Sequence, residues 1–116
     1  MKTIMQILPS LKQGGVETGT IEIAAALQRA KIPNIVVSNG GQMVAQLEKI
    51  GVPHFKLPVH SKNPLTIWLN AYRLAKIAKE NKVGLMHVRS RAPAWSVKVA
   101  SEKTGIPYIS TYHGMY

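Results

Sequence analysis

The chain has 116 residues, 46% of them hydrophobic, which is enough for one domain with a buried core. It contains no cysteine and no apolar stretch of bilayer-spanning length, which excludes a disulfide scaffold and a helix buried in lipid. The formal net charge of +10 favours anionic partners and leaves nucleic acid, an anionic membrane surface and a phosphorylated substrate all open.

The first elements along the chain are a strand over 3–8 and a helix over 16–30, joined by a turn that contains Gly14 and Gly15. A strand, a glycine turn and a helix present free backbone N–H groups at the helix N-terminus, which favours an anion such as phosphate. By itself such a glycine pair is more often ordinary turn chemistry than a phosphate site.

The remaining pattern alternates between the two kinds of element. It predicts strands over 34–38, 53–57, 83–88 and 108–112, and helices over 43–50, 65–81 and 93–103. Asn63 is the expected N-cap of the long helix, with Pro64 at its first position. Gly51 is expected to end the short helix.

Alternating strands and helices predict an α/β fold, in which a parallel sheet is covered by helices on both faces. A Rossmann-like strand order 3-2-1-4-5 is predicted, with ligands bound beyond the carboxyl ends of the strands. Glycine and polar clusters follow each strand at this edge: Gly14–Gly15, Gly40–Gly41, His60–Lys62, Arg89–Arg91 and His113–Gly114. One functional rim is therefore expected.

Arg89, Ser90 and Arg91 follow the fourth strand and are candidates for holding a phosphorylated or carboxylated acceptor. Solvated surface charge is the equally weighted alternative, because most arginines are exposed. His60 and Lys62 form a similar but weaker candidate pair for the same acceptor.

The outward side of the helix over 65–81 combines large apolar groups with a basic run. Trp68, Tyr72, Arg73, Lys76 and Lys79 lie on this side and suit shallow contact with an anionic leaflet. The alternative is that these side chains pack beneath the loop over 58–64 or beneath further segments of the protein.

Several runs resemble the retaining glycosyltransferases of family 4. They are ILPSLKQGGVE at 7–17, VVSNGGQMVAQLEKIGVPHFKLPVHSKNP at 36–64, HVRSRAPAW at 87–95 and STYHGMY at 110–116. Within the family, the chain is most similar to bacterial transferases of the lipopolysaccharide core and other envelope sugars. The resemblance covers the whole chain, with the motifs in the family's order.

The resemblance implies part of the N-terminal half of a GT-B fold, with residues 1–116 as an acceptor-side domain. A nucleotide-sugar donor would bind to a second half, which carries two glutamates in an E-x7-E pattern that this chain lacks. It also implies that Gly14 and Gly15 contact the donor phosphate or sugar, and that His113 positions the donor or stabilises charge. No metal and no cofactor are predicted.

The resulting hypothesis is the acceptor-side part of an enzyme that transfers a sugar to an envelope glycolipid, inactive without its donor half. It is expected in the cytoplasm, peripheral on the inner face of the plasma membrane. The alternative is a freestanding, non-catalytic module that binds anionic ligands and self-associates through uncovered apolar surface. No nucleic-acid partner is expected, since the basic residues are scattered and no recognition motif is present.

Overall fold

The computed structural model of the chain describes residues 2–9, 15–89 and 93–111. The elements are β1 (Thr3–Ile7), α1 (Gly15–Arg29), β2 (Asn34–Ser38), α2 (Val44–Lys49), β3 (His54–Lys56), α3 (Pro64–Glu80), β4 (Val83–Val88), α4 (Ala94–Thr104) and β5 (Tyr108–Ser110). All pairings are parallel and the order is β3-β2-β1-β4-β5, which confirms the predicted topology.

The sheet separates two hydrophobic clusters because successive side chains of a strand point to opposite faces. One face packs Met5, Ile7, Met86 and Val88 against α3 and α4, which contribute buried residues such as Leu74. The opposite face packs Leu8 and Val36 against Ala24 of α1 and Leu47 of α2. The N-termini of α1 and α2 follow the carboxyl ends of β1 and β2 and therefore lie at that edge.

Helix α3 begins where the sequence predicts. Asn63 is its N-cap, and the Asn63 side-chain oxygen accepts hydrogen bonds from the backbone N–H groups of Leu65 at 2.9 Å and Thr66 at 3.4 Å. Pro64 occupies the first helical position, where its missing N–H costs nothing. The loop before α3 is tied to it by Asn70, whose amide donates to the Pro58 carbonyl at 2.9 Å.

Glycines end helices at the opposite edge of the sheet. Gly51 follows α2 with φ of 79° and Gly105 caps α4 with φ of 75°, a left-handed conformation that other residues adopt at a cost. A Cβ added to Gly51 would also approach the side-chain nitrogen of Gln28 to 3.3 Å. These are the plain turns that the sequence predicts for this edge.

Candidate functional site at the carboxyl edge of the sheet

A buried polar chain links β4 to α1 beneath the start of the helix. Arg89 directly follows β4 and is only 4% exposed, and its Nε donates to Oε1 of Gln6 at 2.8 Å. The amide of Gln6, fully buried in β1, in turn donates to the Thr20 carbonyl of α1 at 3.3 Å. The chain therefore couples the end of β4 to the first turns of α1.

The guanidinium of Arg89 has unused binding capacity. Its Nη2 is buried and has no hydrogen-bond partner among the described residues, and burial lowers the pKa of Arg89. Unpaired buried charge is unfavourable, so a site of this kind gains stability from an anion. The sequence leaves two interpretations of Arg89 open, an anion contact and a solvated surface charge. The side chain is buried, not solvated, and contact with an anion stays a prediction.

A second polar group fixes the turn after β2. The Ser38 hydroxyl, fully buried, shares a 2.6 Å hydrogen bond with Nε2 of His54 and accepts the N–H of Gly40 at 3.0 Å. Burial lowers the pKa of His54, Glu48 opposes that shift and Lys56 adds to it. His54 thus has a structural role here, because it holds the turn in which Gly40 and Gly41 have φ of 99° and 146°.

A cleft of about 580 Å³ opens between the first turns of α1 and α2. The described residues that line it are Thr18, Gln42, Met43 and Gln46. Sequence reasoning placed a glycine turn here but named none of these side chains. A pair of glutamines spaced one helical turn apart after a glycine turn is the signal that it passed over.

The loop between β3 and α3 carries the exposed side chains of His60 and Lys62. Because β2 and β1 separate β3 from β4, the strands that carry this pair and Arg89 lie about 14 Å apart.

Other predicted site residues lie wholly or partly outside what the structure describes. Gly15 begins α1, at the helix N-terminus where the sequence places it. Gly14, Ser90, Arg91 and His113 fall outside the described residues. No group of three or more potential metal ligands occurs in the described part of the chain.

The outward side of α3 forms an aromatic–basic surface, comprising Leu65, Trp68, Leu69, Tyr72 and, from α4, Lys103. Trp68 and Tyr72 are about half exposed, and their ring centroids lie 5.6 Å apart in an edge-to-face arrangement. The Lys103 ammonium lies 4.4 Å from the Tyr72 centroid and 5.6 Å from that of Trp68. Cation–π contacts thus hold a positive charge beside exposed rings.

Basic groups surround the aromatic–basic surface. Arg73, Lys76 and Lys79 are exposed on α3, as the sequence predicts. On α4 the Lys98 ammonium lies 5.1 Å from the ring centroid of Trp95, which is 57% exposed. Among the described helices, none is both long and apolar enough to cross a bilayer.

Comparison with known proteins agrees with this architecture. The family model Glycosyltransferase Family 4 matches residues 13–116. A glycosyltransferase from Rickettsia africae ESF-5 is 43% identical, with a TM-score of 0.90 over 99% of this chain and 30% of that one. A search of curated protein sequences finds no match.

Two more distant structures share the fold. MurG of Acinetobacter baumannii is 16% identical, with a TM-score of 0.78 over 99% of this chain and 37% of its own. The lipopolysaccharide outer core galactosyltransferase WaaB in its apo form is 14% identical, with a TM-score of 0.73 over 95% of this chain and 32% of its own. The chain thus spans about a third of each neighbour's length. It belongs to glycosyltransferase family 4 and has the fold of part of a GT-B glycosyltransferase.

Proposed function

We propose that this family 4 chain is the acceptor-side part of a retaining glycosyltransferase. The complete enzyme transfers a sugar from a nucleotide-sugar to an envelope glycolipid of lipopolysaccharide type, and the chain alone is inactive. The observation that supports the proposal is the buried Arg89 at the carboxyl edge. Its Nη2 has no hydrogen-bond partner within the described part of the chain, and its Nε is linked through Gln6 to α1. This is where ligands bind in sheets of this type.

The leaving diphosphate of the donor is the proposed partner of the α1 N-terminus. Gly15 begins α1, where the free N–H groups of the first turn and the helix dipole favour negative charge. Gly14, next to it in the sequence, is proposed to contact the same group. Charge that develops on a leaving phosphate is stabilised most by donors that are already in place. His113, which follows β5 in the sequence, is proposed to position the donor sugar.

The acceptor is proposed to carry a phosphate or a carboxylate. Arg89, Ser90 and Arg91 at the end of β4 would bind that group, and His60 and Lys62 would contact a more distant part of the same molecule. Arginine suits this task because its planar guanidinium bonds two oxygens at once.

A chimera tests this function. The chain replaces the aligned portion of the Rickettsia africae glycosyltransferase, to which it is 43% identical. Release of nucleoside diphosphate from a panel of UDP- and GDP-sugars is measured with bacterial glycolipid extract as acceptor, against the parent enzyme. We expect transfer by the chimera and none by the 116-residue chain.

Two variants of the chimera locate the site. His113→Ala is expected to lower turnover at least tenfold, and Arg89→Met to raise the acceptor KM. Arg29→Met, at the far end of α1, is the matched control and should change neither. A folded chimera without transfer, beside an active parent, would refute the function. An effect of His113→Ala within a few-fold would refute the role of that histidine.

Membrane docking is the proposed location of the reaction, on the inner face of the plasma membrane. The aromatic–basic surface would insert its rings at the headgroup level, with Arg73, Lys76 and Lys79 near anionic lipid. Each basic residue near such a surface contributes about 1 kcal/mol.

Cosedimentation with phosphatidylglycerol vesicles tests this docking. Binding should fall at least tenfold for Trp68→Ala combined with Lys76→Glu, whereas Lys31→Glu, the same charge change in the turn before β2, should leave it nearly intact. Unchanged binding of the double variant would contradict the membrane proposal.

A further inference from the structure

The cleft between α1 and α2 has a chemistry of its own. Its described lining contains one hydroxyl from Thr18 and two carboxamides from Gln42 and Gln46. Each of these groups can both donate and accept hydrogen bonds, and none carries charge. In a chain with net charge +10 this neutral lining differs from the basic surroundings. An anion would find no counter-charge on these residues.

The cleft has the dimensions and location of a binding site. A volume of about 580 Å³ lies within the usual range for small-molecule sites. Thr18 lies in the first turn of α1, and Gln46 lies in the first turn of α2. Both turns are at the carboxyl edge, on the α2 side of α1, whereas Arg89 approaches α1 from β4 on its other side.

The backbone beneath the glutamines is held in place before any ligand arrives. The Ser38–His54 pair fixes Gly40 from below, and the Val44 N–H donates to the Gly41 carbonyl at 3.1 Å. Met43 is 7% exposed and anchors the segment in the hydrophobic cluster beneath α1 and α2. A backbone that is already in place beneath the lining reduces the entropy lost on binding.

From this arrangement we infer that the cleft binds a neutral pyranose ring, with Gln42, Gln46 and Thr18 exchanging hydrogen bonds with its hydroxyls. Alternating hydroxyl donors and acceptors on such a ring match amide side chains, and Met43 offers an apolar floor to its C–H face. The inference rests on the proposed glycosyl transfer for its biological meaning. It assigns a sugar subsite to the α2 side of the α1 N-terminus and an anion to the β4 side, where Arg89 lies.

Nuclear magnetic resonance of the 116-residue chain tests the cleft directly. The side-chain amide signals of Gln42 and Gln46 are followed during titration with methyl α-glucopyranoside, methyl α-galactopyranoside and N-acetylglucosamine, up to tens of millimolar. At least one sugar should shift both glutamines saturably. The side-chain amide of Gln28 should not respond, because it is bonded to the Gly51 carbonyl at the opposite edge.

Substitutions separate hydrogen bonding from a nonspecific effect. Gln46→Ala and Gln42→Ala are each expected to weaken sugar binding about three- to tenfold, the worth of one neutral hydrogen bond. Gln28→Ala, matched in residue type, should leave the affinity unchanged. Glycerol and inorganic phosphate are the comparison ligands. Saturable shifts with phosphate alone, or no saturable shift with any sugar while the spectrum stays folded, would overturn the inference.

The chimera distinguishes the inference from the function on which it rests. Transfer by the chimera with no change of acceptor or donor KM in Gln42→Ala and Gln46→Ala would overturn the cleft while the function stands. An inactive chimera, with saturable sugar shifts in the isolated chain, would remove the function and support the sugar site. A KM change confined to the acceptor or to the nucleotide-sugar tells which of the two supplies the ring.

Discussion

Removal of the buried cation should stabilise the unliganded chain. Arg89 is 4% exposed and its Nε donates a hydrogen bond to Gln6, whereas its Nη2 has no partner in residues 2–9, 15–89 and 93–111. Removing such a charge from water costs several kcal/mol, and a hydrogen bond to a charged group returns only about 1.5–3 kcal/mol. The guanidinium is therefore retained at a net cost to folding.

The double variant Gln6→Leu with Arg89→Met removes both polar partners and keeps most of the side-chain volume. We expect a gain of about 1–4 kcal/mol in the free energy of unfolding, the range found when buried ionic groups become apolar. At roughly 4 °C per kcal/mol for a chain of this size, the Tm should rise by about 4–16 °C. Arg89→Met alone should raise the free energy of unfolding less, because the side-chain oxygen Oε1 of Gln6 then loses its donor at a cost of about 1–3 kcal/mol.

Thermal and urea unfolding, followed by circular dichroism, measure these differences. Inorganic phosphate should raise the Tm of the native sequence and leave that of the double variant unchanged, because a ligand stabilises only the form that binds it. Arg29→Met, an exposed arginine in the last turn of α1, is the control. If the double variant instead loses about 3–5 kcal/mol, Arg89 has a charged partner and the reasoning is wrong.

Three further outcomes are expected from the fold, each measured by thermal or urea unfolding. Gly19→Ala should stabilise α1 by up to about 1 kcal/mol, since nothing lies within 4 Å of the added Cβ. Gly51→Ala should instead lower the free energy of unfolding by about 1–2 kcal/mol, because φ at this position is 79°. Equal effects of the two substitutions would contradict the argument. Asn63→Ala should cost about 1 kcal/mol through loss of the α3 cap, and an unchanged Tm would show the cap to be dispensable. Burial lowers the pKa of His54 in the folded chain, so the unfolded chain binds a proton there more readily. The free energy of unfolding should therefore be highest above about pH 6.5 and fall below that pH, less steeply in His54→Gln. Identical pH slopes of the two proteins would exclude His54 as the cause.

Local pattern predicts most of this fold because the strands combine β-branched runs with glycine and proline boundaries. β2 and β4 begin and end at the predicted residues. The edge strands β3 and β5 are shorter than predicted, at three residues each, because a strand at the edge pairs on one side only and ends where its single partner stops. The sequence pattern of an edge strand alone therefore does not predict where the neighbouring strand ends, which limits the length of the edge strand.

The site is harder to predict because its side chains depend on partners far along the chain. Asn70, a polar residue, lies on the buried side of α3 because its side-chain amide donates to the Pro58 carbonyl. Arg89 is buried because Gln6, 83 positions earlier, accepts from its Nε. Gln6, a polar residue within the apolar run of β1, indicates from the sequence that it has a buried polar partner, but it does not indicate that the partner is Arg89.

The two faces of the sheet differ in the residues that they bury, and we expect them to differ in their contributions to stability and to ligand binding. Register aligns Ile7 with Val37 and Val88 on the face beneath α3 and α4, where these residues join Met5 and Met86 in one hydrophobic cluster. On the other face the same register aligns Gln6 with Val36 and His87, so the polar residues of the strands collect beneath α1 and α2. Both helices begin at the carboxyl edge, and their N-termini meet the buried polar groups there. Substitutions beneath α3 and α4 should therefore change stability alone, whereas those beneath α1 and α2 should change ligand binding, and in places raise stability as they do so.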